Sequence, residues 1–329
     1  MIYVFTEIKN LKYTMSRYII RRILFLALTV LLTSLIIFII TQYLPGDVAR
    51  VILGREAGEA QLEALRAELG LDDPLPAQYI RWLGNFLTGD WGTSFSTKSE
   101  IRPLVMGRLK NSMMLAFLTI LIAVPLAVGL GVIAGLNENR KIDNAISISS
   151  LSVVGLPEFV TGLVLIQIFA FKLELFPANS SIRPGTSFIE ALPMLVLPAL
   201  TATFVLLAYI ARLTRAGVLE ELKKPYVRTA ELKGMPRSTV VIKHVLRNAL
   251  LPTITVIAIS VGWLISGLVV IENVFNYPGL GRLMVFAIDR RDLPLLQAVT
   301  LVTVLVFAFA NLLADLLYAY LNPQIRFGE

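Results

Sequence analysis

Residues 111–137 have the sequence NSMMLAFLTILIAVPLAVGLGVIAGLN and contain no aspartate, glutamate, lysine or arginine. With a rise of about 1.5 Å per residue, this run forms a helix longer than the roughly 30 Å hydrocarbon core of a bilayer. Another run, 144–171, is interrupted only by Glu158. Four further charge-free runs lie at 23–46, 191–211, 248–271 and 293–314. The sequence therefore predicts an all-α polytopic membrane protein with six transmembrane helices.

The composition supports this class and excludes several others. Hydrophobic residues make up 56% of the chain and charged residues 16%, whereas an average soluble domain has about 25% charged residues. There are no cysteines, so disulfides and thiol ligands are excluded. The single histidine, His244, leaves little scope for a metal site or a histidine-based triad, and we predict neither metal ligands nor catalytic residues.

The first apolar run follows Arg17, Arg21 and Arg22, as a signal peptide would. It is longer than the 7–15 apolar residues that are typical of such peptides, and no cleavage site of small residues follows it. We therefore expect 23–46 to be an uncleaved first span.

The distribution of lysine and arginine predicts the orientation of the chain. With the N-terminus inside, the inner segments 1–22, 137–144, 212–247 and 321–329 hold five, two, nine and one of these residues. The short outer segments 172–190 and 272–292 hold two and three. The outer segment 47–110 holds eight, but long loops follow the rule poorly. The net charge of +7 is thus explained by membrane orientation with both termini cytoplasmic, and not by nucleic-acid binding.

Segment 212–247, called the basic segment below, is too long to be a simple connector between helices. It contains nine lysines and arginines but only three acidic residues, Glu220, Glu221 and Glu231. Pro225 is placed where a helix begins, and Gly234 where the predicted helix Tyr226–Lys233 ends. Pro236 predicts the start of a second helix towards His244 and Arg247. A solvated loop on anionic lipid headgroups is one interpretation; the two capped helices favour a docking surface for a partner.

Ala230 and Gly234 are four residues apart and are predicted to share one helix face. Because both are small, another surface could approach the backbone closely there. We expect these two residues to form part of the docking surface.

The outer segment 47–110 also exceeds the length of a connector. Within it, Gln61–Leu69 has helical spacing, with Leu62, Leu65 and Leu69 on one face and Gly70 as a C-cap. An aromatic stretch, Tyr79–Trp91, suits a membrane interface. The segment is either an amphipathic lid on the helix ends or a docking surface for an external partner.

Several motifs together resemble one family of membrane proteins. The basic segment contains YVRTAELKG at 226–234 and HVLRNALLP at 244–252. Further motifs follow the family's order along the chain: Arg21-Arg22, Leu44-Pro45-Gly46-Asp47, Leu69-Gly70-Leu71-Asp72, Gly89-Asp90-Trp91-Gly92, Asn273-Val274-Phe275, Pro278-Gly279-Leu280-Gly281-Arg282 and Asn322-Pro323-Gln324-Ile325-Arg326. Over nearly the whole chain they resemble the permeases of binding-protein-dependent ABC importers, most closely the dipeptide/oligopeptide/nickel group. The stretch at 226–234 corresponds to the EAA loop of that family.

The basic segment departs from the general EAA pattern at two places. The Glu-Ala-Ala positions hold Arg228, Thr229 and Ala230, and the usual Leu-Pro is Leu246-Arg247, with the proline at Pro252. The peptide and nickel permeases look similar at both places. The departures therefore narrow the resemblance to that group. Because the glutamate is missing here, we predict no role for it in this chain.

The resemblance implies a type I ABC importer permease-like fold in a bacterial or archaeal inner membrane. It also implies four partners: a second homologous permease, two cytoplasmic ATPase subunits and an external solute-binding protein. Coupling to the ATPase is then expected at Tyr226, Arg228, Thr229, Ala230 and Gly234. The implied solutes are peptides or similar small molecules.

The chain itself has no G-x-x-x-x-G-K-[ST] motif with which to hold nucleotide. The stretch Gly279-Leu280-Gly281-Arg282 lacks the lysine and hydroxyl residue of a P-loop and is interpreted as a turn. We therefore expect no cofactor on this chain, no enzymatic activity, and ATP bound by the partner subunits.

Glu158 is the acidic residue that lies deep within a predicted span. A charge there costs at least about 2.5 kcal/mol on insertion scales, so its carboxyl group should face protein or water. It is either a residue of the translocation path or a partner in an interhelical hydrogen bond. Asp315, near the inner end of the last span, is expected to be structural.

Two other functional classes were weighed against an ATP-driven importer. A secondary transporter driven by an ion gradient often has inverted repeats and several ionisable residues in its spans, and neither is evident here. A membrane enzyme needs clustered catalytic groups near a span end, and the acidic residues are scattered.

Overall fold

The computed structural model describes residues 2–43, 48–54 and 57–321 of the chain. In this part the only β-type pairing is an isolated bridge between Thr93 and Glu100. The motif at 44–47 and the tail at 322–329 lie outside the described residues. The helices, numbered in chain order, are α1 (Ile2–Tyr43), α2 (Val48–Leu53), α3 (Glu59–Leu69), α4 (Leu75–Thr88), α5 (Ile101–Leu136), α6 (Lys141–Val154), α7 (Glu158–Leu165), α8 (Phe188–Leu222), α9 (Pro225–Leu232), α10 (Arg237–Val240), α11 (Leu246–Ala249), α12 (Leu251–Gly267), α13 (Val269–Val274), α14 (Leu280–Asp289) and α15 (Leu293–Leu321).

Four helices, α1, α5, α8 and α15, are long and apolar enough to cross a membrane without a break. Two bent pairs bring the number of candidate spans to six. The first joins α6 to α7 and its π-helical continuation Ile166–Lys172 at an angle of 105°, and the second joins α10 and α11 to α12 at 50°.

The bend within 144–171 differs from the single helix that the apolar run predicts. It lies at Leu156 and Pro157, between the end of α6 and the start of α7. Proline cannot donate a backbone hydrogen bond, and it disfavours helical geometry in the residue before it. Glu158 is therefore the first residue of a new helix and does not lie in the middle of a straight span.

The start of α8 follows from local chemistry. The Ser187 hydroxyl accepts a hydrogen bond from the Glu190 backbone N–H at 3.4 Å, and the Ser187 N–H donates to the Glu190 carboxylate at 3.1 Å. This capping box satisfies two free donors at the helix N-terminus.

Two large apolar clusters pack the helices of the described chain together. The first fills the space between α5, α8 and α12, and its fully buried members include Leu115, Leu195, Leu264 and Phe275. The second joins α1 and α4 to α5, α14 and α15. α5 therefore packs against both groups of helices.

Two buried acidic groups fasten the segments that connect the spans. The Glu272 carboxylate accepts hydrogen bonds from the Ser112 hydroxyl at 2.6 Å and from the Arg282 N–H at 3.0 Å. The Asp292 carboxylate accepts from the Ser94 hydroxyl at 2.6 Å and from the Ser96 N–H at 2.9 Å. These bonds hold α14 against α5 and the end of segment 47–110 against the start of α15.

Segment 47–110 contains the helix that the leucine spacing predicts. α3 ends at Gly70, whose left-handed backbone donates to Ala67, and the buried Leu62 faces the protein. The helix and its glycine C-cap are thereby confirmed. At the other end of the molecule, Arg22 lies 3.0 Å from Asp315, which agrees with a structural role for Asp315.

Candidate partner-docking surface

The short helix α9 of the basic segment is defined by its two ends. Pro225 occupies the first turn, where its missing N–H would be unpaired in any case. At the other end, the Gly234 N–H donates to the Glu231 carbonyl at 2.9 Å and the Met235 N–H donates to the Ala230 carbonyl at 3.3 Å. This pair of bonds is a Schellman motif. It requires the left-handed backbone of Gly234, whose φ is +74°.

The inner face of α9 is anchored to the rest of the chain. Val227 and Ala230 are buried in an apolar cluster whose other members come from α8, α10, α11 and the π-helical turn Val241–Val245. Those other members are Val218, Val240, Val245 and Ala249. Because this cluster joins α9 to four other helical segments, α9 is fixed to α8 and to the start of the bent span that includes α12.

Tyr226 adds polar contacts at the first turn of α9. Its hydroxyl donates to the Glu221 carboxylate and accepts from the Asn248 side-chain amide at 3.3 Å. Burial and the neighbouring Glu221 carboxylate raise the pKa of the Tyr226 phenol, so the hydroxyl keeps the proton that it donates. Tyr226 thus links the end of α8 to α11.

The contact between α8 and α11 is a direct backbone contact at Gly217. A Cβ at this position would lie 2.4 Å from the Ala249 carbonyl oxygen. Only glycine allows the two helices to approach this closely. The backbones of α8 and α11 are therefore in contact without flexible side chains between them.

The outer face of α9 carries Arg228, Thr229 and Leu232, which are all exposed. Leu232 is 81% exposed, although it is a large apolar side chain beside charged neighbours. Leu232 is not among the contact residues predicted from the sequence. The available signal was its position four residues after Arg228, on the face opposite Val227 and Ala230.

The residues predicted from the sequence thus fall into four groups. Arg228 and Thr229 lie on the outer face of α9, and Tyr226 anchors its start. Ala230 is buried against the chain's own cluster. Gly234 is exposed, and a Cβ there would have no atom within 4 Å. Ala230 and Gly234 therefore do not form a common exposed corner.

A largely buried ion pair joins Arg215 of the basic segment to Asp143 of α6. The Arg215 guanidinium donates to both oxygens of the Asp143 carboxylate at 2.6 and 2.7 Å. The Asn139 N–H donates to the same carboxylate at 2.9 Å. The bond from Arg215, aided by Asn139, lowers the pKa of Asp143 to about 2 despite its burial. This pair fixes the α5–α6 connection to α8; one sequence does not reveal it, because Asp143 and Arg215 are far apart in the chain.

Glu158 is only half-buried, and α7, which it begins, packs against α8 and α13. Within the part of the chain that the structure describes, its Oε2 atom is buried and has no hydrogen-bond partner. The interhelical hydrogen bond considered for Glu158 therefore has no donor to that oxygen among the described residues.

Comparison with known proteins assigns the chain to a family. Residues 127–327 match the model of the binding-protein-dependent transport system inner membrane component. Residues 15–130 match the N-terminal model of the membrane component of binding-protein-dependent transport systems. Together the two matches cover the spans, the connecting segments and α9.

Curated relatives match over nearly their full length. The chain is 38% identical to the glutathione transport system permease protein GsiC of Pectobacterium atrosepticum over 313 residues, which are 95% of this chain and all of the relative. It is 36% identical to GsiC of Escherichia coli K12, with the same coverage.

A solved structure agrees in fold. The crystal structure of an amino acid ABC transporter with histidines superposes with a TM-score of 0.52 at 16% identity, covering 66% of this chain and 94% of the other. The chain therefore belongs to the family of inner membrane components of binding-protein-dependent transport systems, and it is an inner-membrane permease of the peptide type of ABC importer.

Proposed function

We propose that this permease couples the closure of cytoplasmic ATPase subunits to alternating access through the membrane, with α9 as the element that the ATPase engages. The observation that carries the proposal is the two-sided character of α9. Its outer face presents Leu232, which is 81% exposed, together with Arg228 and Thr229. Its inner face is fixed to α8 and α11 by the cluster around Val227 and Ala230.

The anchoring gives α9 a mechanical role. A force on its outer face passes through the buried cluster and the Gly217–Ala249 contact into α8 and into the bent span that includes α12. Packed helices move as units because interiors are close-packed. In this proposal, ATPase closure moves these helices and opens the path to the opposite side.

The proposed assembly contains a second homologous permease, two ATPase subunits and an external solute-binding protein, with both termini of this chain in the cytoplasm. The proposed solutes are glutathione or similar short peptides, since the relatives named above are glutathione transport system permeases. Glu158 is proposed to line the path, where its carboxylate would meet a solute amine.

The test is the variant Leu232→Ser in the complete complex, reconstituted in proteoliposomes with the solute-binding protein outside. Burying one leucine at an interface is worth about 1.5–3 kcal/mol, so we expect solute-stimulated ATP hydrolysis and uptake to fall by about tenfold or more. Insertion of the chain should not change, because Leu232 does not contribute to the buried clusters.

Leu175→Ser is the matched control. Leu175 is 61% exposed but precedes α8, at the end of that helix opposite α9, and the variant should keep normal coupling. Normal uptake by Leu232→Ser would refute α9 as the engaged element. Solute uptake by the two permeases alone, driven by an ion gradient without ATP, would instead support a secondary transporter.

A further inference from the structure

A groove of about 420 Å³ lies between α6 and α8, away from the outer face of α9. One part of its lining is polar and includes Asn144, Ser147, Arg212 and Arg215. The other part is apolar and includes Leu151, Val154 and Ala208. The two arginines of the lining thus lie towards the start of α6, whereas the end near Leu151 and Val154 carries no charged residue.

The polarity of the groove changes along α8. Arg212 is the first charged residue after the charge-free run 191–211, so it marks the boundary where the span ends. Ala208 lies one turn deeper in that run. Val154 is ten residues beyond Asn144 on α6, a distance of about 15 Å along a helix. The cationic end therefore lies at the membrane boundary and the apolar end at membrane depth.

The positive charge at the polar end is only partly neutralised. Arg215 donates to both oxygens of Asp143, so its charge is balanced. Arg212 lies over the Tyr209 ring, 5.6 Å from its centroid. Among the side chains that the structure describes, no salt bridge joins Arg212 to a carboxylate. The groove therefore presents one uncompensated guanidinium that is held in place by an aromatic ring.

We propose that this groove binds one anionic phospholipid, with the phosphate at Arg212 and an acyl chain along Leu151 and Val154. A phospholipid has the same succession of charge and hydrocarbon as the groove, and basic pockets between transmembrane helices bind anionic headgroups in this way. Arginine and hydroxyl groups are suitable donors to phosphate oxygens. The proposal depends on the membrane location of the chain and not on the role of α9, so either can fail without the other.

The test counts lipids bound to the purified complex by native mass spectrometry, during titration with phosphatidylglycerol or phosphatidylethanolamine. The wild type should retain phosphatidylglycerol in preference to phosphatidylethanolamine. Arg212→Gln should weaken phosphatidylglycerol binding by about fivefold. Phosphatidylethanolamine binding should weaken by less, because the ethanolamine ammonium already balances the charge of its phosphate. Leu151 is exposed in the apolar part of the groove, so Leu151→Gln should weaken the binding of both lipids.

Arg140→Gln is the charge-matched control, because Arg140 is exposed beside the start of α6 but does not line the groove. It should bind phosphatidylglycerol as the wild type does. Equal loss in both arginine variants would overturn the proposal in favour of a non-specific basic surface. Displacement of the lipid by glycerol 3-phosphate would overturn it in favour of a free-phosphate site. Unchanged lipid binding in Arg212→Gln, with loss of solute uptake, would assign Arg212 to the translocation path.

Discussion

At Gly234 the backbone conformation complicates any test of the docking surface by substitution. Its φ of +74° is strained for other residues, although the space around it is open. A bulky residue such as tryptophan there would change the backbone as well as the docking surface. Substitutions on the outer face of α9, such as Leu232→Ser, separate these two effects.

Gly234→Ala should loosen the end of α9 without any steric clash. The left-handed backbone costs an L-residue about 1 kcal/mol, so hydrogen exchange of the Met235 amide should accelerate by about fivefold. Gly234→Asn should have a smaller effect, because asparagine tolerates this conformation. Gly84→Ala is the control: Gly84 also has open space but lies within α4 and has no positive φ, so alanine there should not accelerate amide exchange in that helix. Equal exchange at Met235 in wild type and Gly234→Ala would contradict the expectation.

The Asp143–Arg215 pair predicts a pH-dependent stability. The pKa of Asp143 is lowered from 3.8 to about 2, so the folded state favours the ionised carboxylate. Its contribution, about 2 kcal/mol, is present above about pH 4 and is lost as the pH falls towards 2. Asp143→Asn should therefore be less stable than the wild type at pH 7 in thermal unfolding of the purified protein, and the difference should shrink below about pH 4.

A double-mutant cycle provides the control for this pair. Arg215→Gln alone should destabilise the protein. The double variant should lose less stability than the sum of the losses in the two single variants. A stability difference that does not vary between pH 7 and the most acidic accessible pH would contradict the assignment.

At the scale of the elements, local chemistry was enough to predict some helices and not others. The prediction Tyr226–Lys233 is close to α9, Pro225–Leu232, because a proline and a glycine fix its ends. The bend between α6 and α7 was not predicted, since the hydropathy of 144–171 is continuous across Pro157. Continuous hydropathy reports an apolar environment and not the direction of the chain.

The faces of α9 needed the tertiary structure. Ala230 is as compatible with an exposed contact as with a buried one, and only the neighbouring Val218 and Val245 show that it is buried. The same holds for Glu272 and Asp292, whose partners are 160 and 198 residues away. A single sequence contains no signal for such distant pairs.

At the scale of the whole molecule, the predicted orientation can be tested directly because the chain has no cysteines. Lys141 and Arg183 are exposed and lie in segments predicted on opposite sides of the membrane. Arg183→Cys should react with an impermeant maleimide in intact cells, and Lys141→Cys only after the membrane is permeabilised. The reverse pattern would show the inverted topology.

The buried ties of Asp292 and Glu272 have a consequence for biosynthesis. Ser94 and Ser112 leave the ribosome long before the acidic groups that bind them, and a chain is made from its N-terminus. Ser94 and Ser96 therefore lack their partner until Asp292 has been synthesised, although Tyr79 of the same segment can already contact Ser34 of α1. Segment 47–110 is predicted to be external, so an external protease should cut the nascent chain near Ser94 during this interval and no longer do so afterwards.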